Sequence, residues 1–556
     1  MPPRLQSSGL ILAKQATEVA VCQGSTYTAV PFQACHTKIS LRPVKRIPDD
    51  LFRTVLRDIG CPRTIYNHGP SVGTLLMPTW TFRARVTVGV SVLLMVTGCS
   101  AVPDEPAAVG ERPPNVVILF ADDLGYGDLG VYGHPTIRTP NLDQMAAEGQ
   151  KWTTFYVGAP VCSPSRAALL TGRLPVRSGM YGTRERTRVL FPDTPSGISA
   201  DETTLAEALG ARGYATGIFG KWHLGHLPAY LPMAHGFDQW LGLPYSNDMQ
   251  QTINRDAPFL ASIFLEPKSE YWNVPLMRND EVIQLPADQT QLTRRYTEEA
   301  QGFIEANQEQ PFFLYLPYTM PHVPLFTDET FVDASAAGLY GDVIEEIDWS
   351  VGQILSTLRL QGLDKRTIVL FTSDNGPWLV YKQQGGSAGL LQQGKATTFE
   401  GGMRVPAIFW WPGTISPATV HEIGSTLDVF TTAITLTDGA VPADRPIDSL
   451  DLTPVLLQAG ASPRNTMPYY RADELYAMRK GMFKAHFITE GSYGEPPARK
   501  EHDPPLLYHL GEDPAERFDV GSQYPGVIAD ILAEVEIHRE GLEVADSVFD
   551  LRPPLE

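Results

Sequence analysis

Short, unbroken apolar runs alternate with amphipathic stretches along most of this chain, and that alternation narrows the fold more than any other feature. Asn115 to Ala121 (NVVILFA) carries no charge and almost no polarity. A strand with one wet face alternates apolar and polar residues, whereas a continuous run suits a parallel strand covered on both faces. Pro311 to Tyr318 (PFFLYLPY), Thr367 to Thr372 (TIVLFT), Tyr214 to Phe219 and Pro406 to Trp410 (PAIFW) read the same way. Helical stretches lie between them. Thr139-Pro140 opens one, with Thr as N-cap, Pro in the first turn, and Leu142, Met145 and Ala146 on its apolar face. Ser163-Pro164 opens another, which Gly172 is placed to end. Thr204 to Arg212 and Leu427 to Leu436 are helical. Tyr340, Val343, Ile344, Ile347, Val351, Ile354, Leu355 and Leu358 mark a long amphipathic helix.

Strands alternating with helices imply an α/β domain built on a mostly parallel sheet flanked by helices. From about Pro468 the texture changes to short aromatic segments such as YAMRKGMFKAHF and LLYHL, separated by turn residues. These predict a small antiparallel sheet, with a terminal helix from Val527 to Glu543. The expected division is a large domain over 115–455 and a C-terminal subdomain over 456–556. At 556 residues the chain exceeds what one hydrophobic core usually supports.

The first hundred residues read differently. Arg83 and Arg85 precede an apolar run from Val86 to Val96, too short for a comfortable transmembrane helix. Val96-Thr97-Gly98-Cys99 then resembles a bacterial lipobox, so 77–99 is expected to be a lipoprotein-type signal starting at Met77, with Cys99 lipidated. Residues 1–76 read as a mis-assigned or non-folded leader, and the Pro- and acid-rich 100–114 as a tether. The implied location is the periplasm or the outer membrane of a bacterium, with membrane contact only through the lipid. Of the five cysteines (Cys22, Cys35, Cys61, Cys99 and Cys162), only Cys162 would then remain in the folded body. A lone thiol in an oxidising compartment is a liability unless it has chemistry to do.

The net charge of −19 argues against nucleic-acid partners and against anionic lipid surfaces. Any anion site must be a local exception. Asp122-Asp123 directly follows the first apolar run, and Ser373-Asp374-Asn375-Gly376 directly follows TIVLFT. Ligand sites of α/β sheets form beyond the carboxyl ends of strands. Adjacent carboxylates repel each other and favour a cation. Oxygen ligands from two strand ends suit a hard divalent ion, Ca²⁺ more than Mg²⁺. Cys162-Ser163-Pro164-Ser165-Arg166 places a thiol at a helix start beside a guanidinium, where its pKa is expected to fall. Lys221 and His223 alternate in Gly220-Lys221-Trp222-His223, so on an extended segment both face one site. Ser246, His322 and Lys395 sit in loop-like contexts (YSND, PHVP and GK) that carry little weight alone.

Taken together, these motifs resemble the formylglycine-dependent sulfatases, of the arylsulfatase A type. C-x-P-x-R followed by AALLTGR is similar to the family's signature, the other motifs follow in family order, and HDPPLLYHLGEDPAERFD is similar to its end region. The resemblance implies an alkaline phosphatase-like fold. It implies oxidation of Cys162 to Cα-formylglycine by a separate maturation enzyme, and a metal held by Asp122, Asp123, Asp374, Asn375 and residue 162. Arg166 would favour the deprotonated nucleophile. Lys221, Ser246, His322 and Lys395 would contact the sulfate, with His322 and Lys395 assisting the leaving group and His223 acting as base. The expected activity is hydrolysis of a sulfated small molecule or glycan. Two other readings compete with it: a phosphoester or phosphonate hydrolase of the same superfamily, and a non-catalytic binder of sulfated glycans.

Overall fold

The computed structural model describes residues 112–183, 188–252 and 262–551, all within one compact unit. The expected signal, leader and most of the tether lie outside these residues. Among the described residues, no helix is long and apolar enough to cross a membrane.

The larger sheet contains β1 (Asn115–Ala121), β2 (Gln150–Tyr156), β3 (Ala215–Phe219), β4 (Gln239–Gly242), β5 (Leu276–Arg278), β6 (Glu281–Gln284), β7 (Phe312–Pro317), β8 (Thr367–Ser373), β9 (Arg404–Trp410), β10 (Ala418–Val420) and β11 (Gly424–Ser425). Its order is β10-β2-β9-β8-β1-β7-β3-β4-β5-β6, with β11 also on β2. The centre, β8-β1-β7-β3-β4, is wholly parallel. Direction changes around it: β9 runs antiparallel to both β8 and β2, and β5 and β6 form an antiparallel edge. An apolar run such as PAIFW reports burial on both faces and says nothing of strand direction.

Both faces are covered. Val116, Ile118 and Phe120 of β1 enter one core, and Val117, Leu119 and Ala121 enter the other, as a period of two requires. The first core takes α2 (Cys162–Thr171), α3 (Leu205–Gly210) and α6 (Asp428–Leu436); the second takes α1 (Pro140–Glu148), α4 (Leu292–Ala306) and α5 (Gly338–Leu360). Thr204 closes a full capping box on α3: its hydroxyl accepts from Glu207 N at 3.1 Å, and Glu207 accepts from Thr204 N at 2.7 Å. Thr139 stands at the N-cap position of α1 but does not cap it. Its hydroxyl accepts from Gly130 N and donates to Asp143 Oδ1, both at 2.9 Å, because the preceding turn competes for the same oxygen.

The C-terminal sheet, β12 (Thr466–Arg471), β13 (Glu474–Lys480), β14 (Phe483–Thr489) and β15 (Lys500–His509), is antiparallel throughout and carries α7 (Pro525–Glu540). Its Met467, Tyr469, Ala477 and Met478 share a core with β1. The expected boundary at 455/456 falls inside the short helix Thr453–Gln458. A buried polar network also joins the two sheets. Lys484 of β14 reaches Glu400 at 3.0 Å, Glu516 at 2.8 Å and the Thr398 carbonyl at 2.8 Å, while Glu400 accepts from Tyr156 of β2 and Tyr469 of β12. The segment 395–400 that this network anchors also carries Lys395.

Candidate active site

The adjacent parallel strands β8, β1, β7 and β3 all release their chains at the same edge. Backbone pairing continues past their ends: Asp374 N donates to Ala121 O at 3.0 Å, Asp122 N to Met320 O at 3.2 Å, and Lys221 N to Pro317 O at 2.8 Å. Asp122, Asp123, Asp374, Asn375, Lys221 and His322 therefore converge although they are far apart in sequence. Gly220 permits one such exit. It has φ +142, and a Cβ there would lie 1.9 Å from the Pro317 carbonyl. Left-handed backbone at non-glycine residues gathers here as well, at Asp123, His223 and Ala396. Because His223 has φ +63, the Lys221–His223 segment is not the simple extended stretch that alternation implied.

The side chains form one buried charged cluster. Lys221 Nζ lies 2.5 Å from Asp122 Oδ2, and Lys395 Nζ 2.7 Å from Asp123 Oδ2. Arg166 directs Nε and a terminal nitrogen at Asp374 Oδ2 (3.0 and 2.8 Å), and donates to the Lys221 carbonyl at 3.0 Å. Cys162 Sγ lies 3.5 Å from Asp122 Oδ1 and 4.0 Å from Asp123 Oδ1. His322 Nε2 stands 3.7 Å from Asp123 Oδ2 and 3.3 Å from Ser246 Oγ, which accepts from Lys221 at 3.2 Å. Metal-ligating atoms of Asp122, Asp123, Cys162 and His322 all fall within 4.8 Å of one another. His223 is set apart by its bond to the Leu190 carbonyl at 2.9 Å through Nε2; its Nδ1 is buried with no partner among the described residues.

The electrostatics follow from burial against three cations. Burial opposes ionisation of Asp122, but Lys221 and Arg166 hold its carboxyl well below the usual range. Burial lifts Asp123 in spite of Lys395, and burial with the neighbouring Asp122 lifts Asp374 to about 7 in spite of Arg166. Lys395 is held above its ordinary range: burial opposes its charge, but Asp123 and the neighbouring Cys162, Tyr493 and Asp122 together outweigh burial. Burial and the nearby lysines keep His223 and His322 neutral. The Cys162 thiol moves opposite to the expectation from its helix position. Burial pushes it up, and the attraction of Lys221 and Lys395 does not compensate. As a thiol it is a poor nucleophile here.

These residues fit a divalent cation. Two of the three carboxylates are raised, as groups short of positive charge are, and Asn375 Oδ1 is buried without a partner among the described residues while its Nδ2 donates to Asp123 Oδ1 at 2.7 Å. Four neighbours escaped sequence reasoning. Asn247 lies 3.2 Å from His322 Nδ1, Trp378 packs on both Lys395 and His322, and Tyr493 and Arg188 follow outward. Asn247 adjoins Ser246 and had that adjacency as a signal. The other three sit in loops with no motif.

Comparison with known proteins decides the family. The sulfatase family model matches residues 114–440, and the model for the C-terminal region of aryl-sulfatase matches 462–553. The chain belongs to the sulfatase family. It is 43% identical over 459 residues to arylsulfatase A of Bos taurus, covering 79% of this chain and 88% of that protein. It is 41% identical over 473 residues to N-acetylgalactosamine-6-sulfatase of Canis lupus familiaris, covering 78% and 88%. Among solved structures, the PsFucS1 sulfatase from Pseudoalteromonas sp. superposes with a TM-score of 0.69 at 27% identity, over 80% of this chain and 92% of that one. Ps i-CgsB, solved in complex with k-i-k-neocarrahexaose, gives 0.65 at 26% identity, over 78% and 94%. The sulfatase enzyme therefore has the alkaline phosphatase-like fold, and its activity is sulfate ester hydrolysis.

Proposed function

We propose that this sulfatase cleaves its ester with residue 162 converted to Cα-formylglycine, beside one divalent cation held by Asp122, Asp123, Asp374, Asn375 and residue 162. The observation that carries the reading is the seat of Cys162, 3.5 Å from one carboxylate of the cluster and 4.0 Å from the next. A thiol held neutral there is a better precursor than nucleophile. Converted and hydrated, residue 162 would supply a nucleophilic hydroxyl and a second hydroxyl for the release of sulfate. A cation held by these residues, Ca²⁺ in preference to Mg²⁺, would supply positive charge to the nucleophile and to the sulfate.

The chain's own residues do the rest. Lys221 and Lys395 place fixed ammonium charges where sulfate oxygens gain charge, in a site from which water is largely excluded. Ser246 links Lys221 to His322 and orients both. Neutral in the resting site, His322 gains proton affinity when an anion arrives beside it, and with Lys395 it protonates the departing alcohol. The His223 Nε2–H donates to the Leu190 carbonyl, leaving the buried Nδ1 lone pair free to accept a proton. Arg166 fixes Asp374 and adds charge beside residue 162.

The natural substrate in this reading is a sulfated small molecule or glycan, and a formylglycine-generating enzyme is the required partner. The Val86–Cys99 pattern supports export to the periplasm, with tethering through a lipid on Cys99. The test compares 4-nitrophenyl sulfate with 4-nitrophenyl phosphate on matured, metal-analysed protein. Efficient cleavage of the sulfate with one bound divalent ion is expected. Preference for the phosphate would refute the reading.

A further inference from the structure

A stripe of rings and cations leads outward from the catalytic cluster. Lys395 Nζ lies 4.2 Å from the Trp378 ring centroid, and Trp378 lies 5.1 Å from Tyr493. Arg188 caps the stripe, 4.5 Å from the Tyr493 ring. Three of these features ask for a ligand. Tyr493 is 40% exposed, with left-handed backbone, in the loop between β14 and β15. Trp378 Nε1 is buried with no partner among the described residues. Arg188 donates to the neutral Ser492 hydroxyl at 2.6 Å, and no carboxylate pairs with it among the described residues. In a chain of net charge −19, an arginine with no carboxylate partner among the described residues, close to an anion-cleaving site, is a local exception. Beside it lies a small cavity of about 40 Å³, lined in part by Arg188 and by Val161 and Ala396, the chain neighbours of Cys162 and Lys395.

We propose that Arg188, held against the Tyr493 ring, binds a second anionic group of the substrate, a carboxylate or a further sulfate. This rests on the sulfatase reading and narrows its substrate to saccharides with at least two anionic groups. A planar guanidinium matches a carboxylate or sulfate through two parallel hydrogen bonds.

The test uses the full-length matured enzyme and four probes: 4-nitrophenyl sulfate, a hexosamine O-sulfate, the matching N,O-disulfate, and an O-sulfated disaccharide containing a uronic acid. The wild type should prefer a doubly anionic sugar to the singly sulfated one, and which of the two it prefers identifies the second anion. Arg188→Ala should lower that preference about 10- to 100-fold, chiefly through KM, the loss expected for a hydrogen bond to a charged group. Arg188→Lys should keep part of it. Tyr493→Ala, which removes the ring that positions Arg188, should raise KM for the doubly anionic sugar about 3- to 10-fold, and Tyr493→Phe should restore it. A wild type with no preference, or an Arg188→Ala protein in which all four substrates fall together, overturns the proposal. A matured wild type that cleaves no sulfate ester refutes the underlying reading instead.

Discussion

Lys484→Met should be one of the most damaging single changes in the protein, although Lys484 lies outside the catalytic cluster. Its ammonium is fully buried between Glu400 and Glu516, at 3.0 and 2.8 Å, and both carboxylates are fully buried too. Removing one partner of a buried ion pair leaves an uncompensated charge and costs about 3–5 kcal/mol. A second route gives a similar figure. Burial pushes the Glu400 carboxyl up, but Lys484, then Arg404 and Arg479, hold it at about 2 against an ordinary 4.5. At about 1.4 kcal/mol per pKa unit, that gap corresponds to about 3 kcal/mol, with Lys484 the largest attractive share. The sign sets the pH window. A depressed carboxyl stabilises the fold above its unfolded pKa, and this stabilisation is lost as pH falls from about 4.5 towards 2. The deficit of Lys484→Met should therefore be full at pH 7 and smaller at pH 3.5 in urea denaturation. The pair Glu400→Gln/Lys484→Met should recover part of the loss, because it removes one of the two carboxylates left stranded. Because the network anchors the segment bearing Lys395, kcat should fall as well. A deficit below about 1 kcal/mol, one equal at both pH values, or a double variant worse than the single would refute the reasoning.

Other outcomes follow from the same structure. Glu346 is raised to about 7, chiefly by burial, and its Oε1 has no partner among the described residues. The stabilisation from its proton is complete below about 4.5 and lost as pH rises through 7, so Glu346→Gln should flatten the fall in melting temperature between pH 5 and 8. Thr204→Ala removes the capping box of α3 and should cost about 1 kcal/mol by denaturant titration, with kcat little changed. Chelation should abolish turnover and lower the melting temperature, and Ca²⁺ at a hundredfold excess over its Kd should return about 2.7 kcal/mol.

Much of the site was legible because its chemistry sits at strand ends. Asp122-Asp123 and Asp374-Asn375 each close an apolar run, and parallel pairing of β1 with β8, in which Ala121 faces Ser373, makes them neighbours. Sequence could place Lys221 and His322 only by resemblance. Their meeting depends on β7 and β3 lying beside β1, and no local pattern encodes that order. Strand direction at the sheet margins was illegible for a related reason, since a doubly covered strand is apolar whichever way it runs. The Cys162 pKa was misjudged because the helix position was visible and the complete burial was not. Arg188, Trp378 and Tyr493 come from three separate loops, and only the folded chain brings them into one line.

The central claim concerns the chemical state of residue 162. Protein made with and without a maturation enzyme should be digested and the peptide spanning Val161–Arg166 weighed, with 4-nitrophenyl sulfate turnover measured on the same samples. An aldehyde at residue 162 is expected, its fractional occupancy tracking the rate linearly and passing through zero when the thiol is intact. Full turnover with an unmodified thiol, or complete conversion with no turnover in the presence of metal, would contradict it.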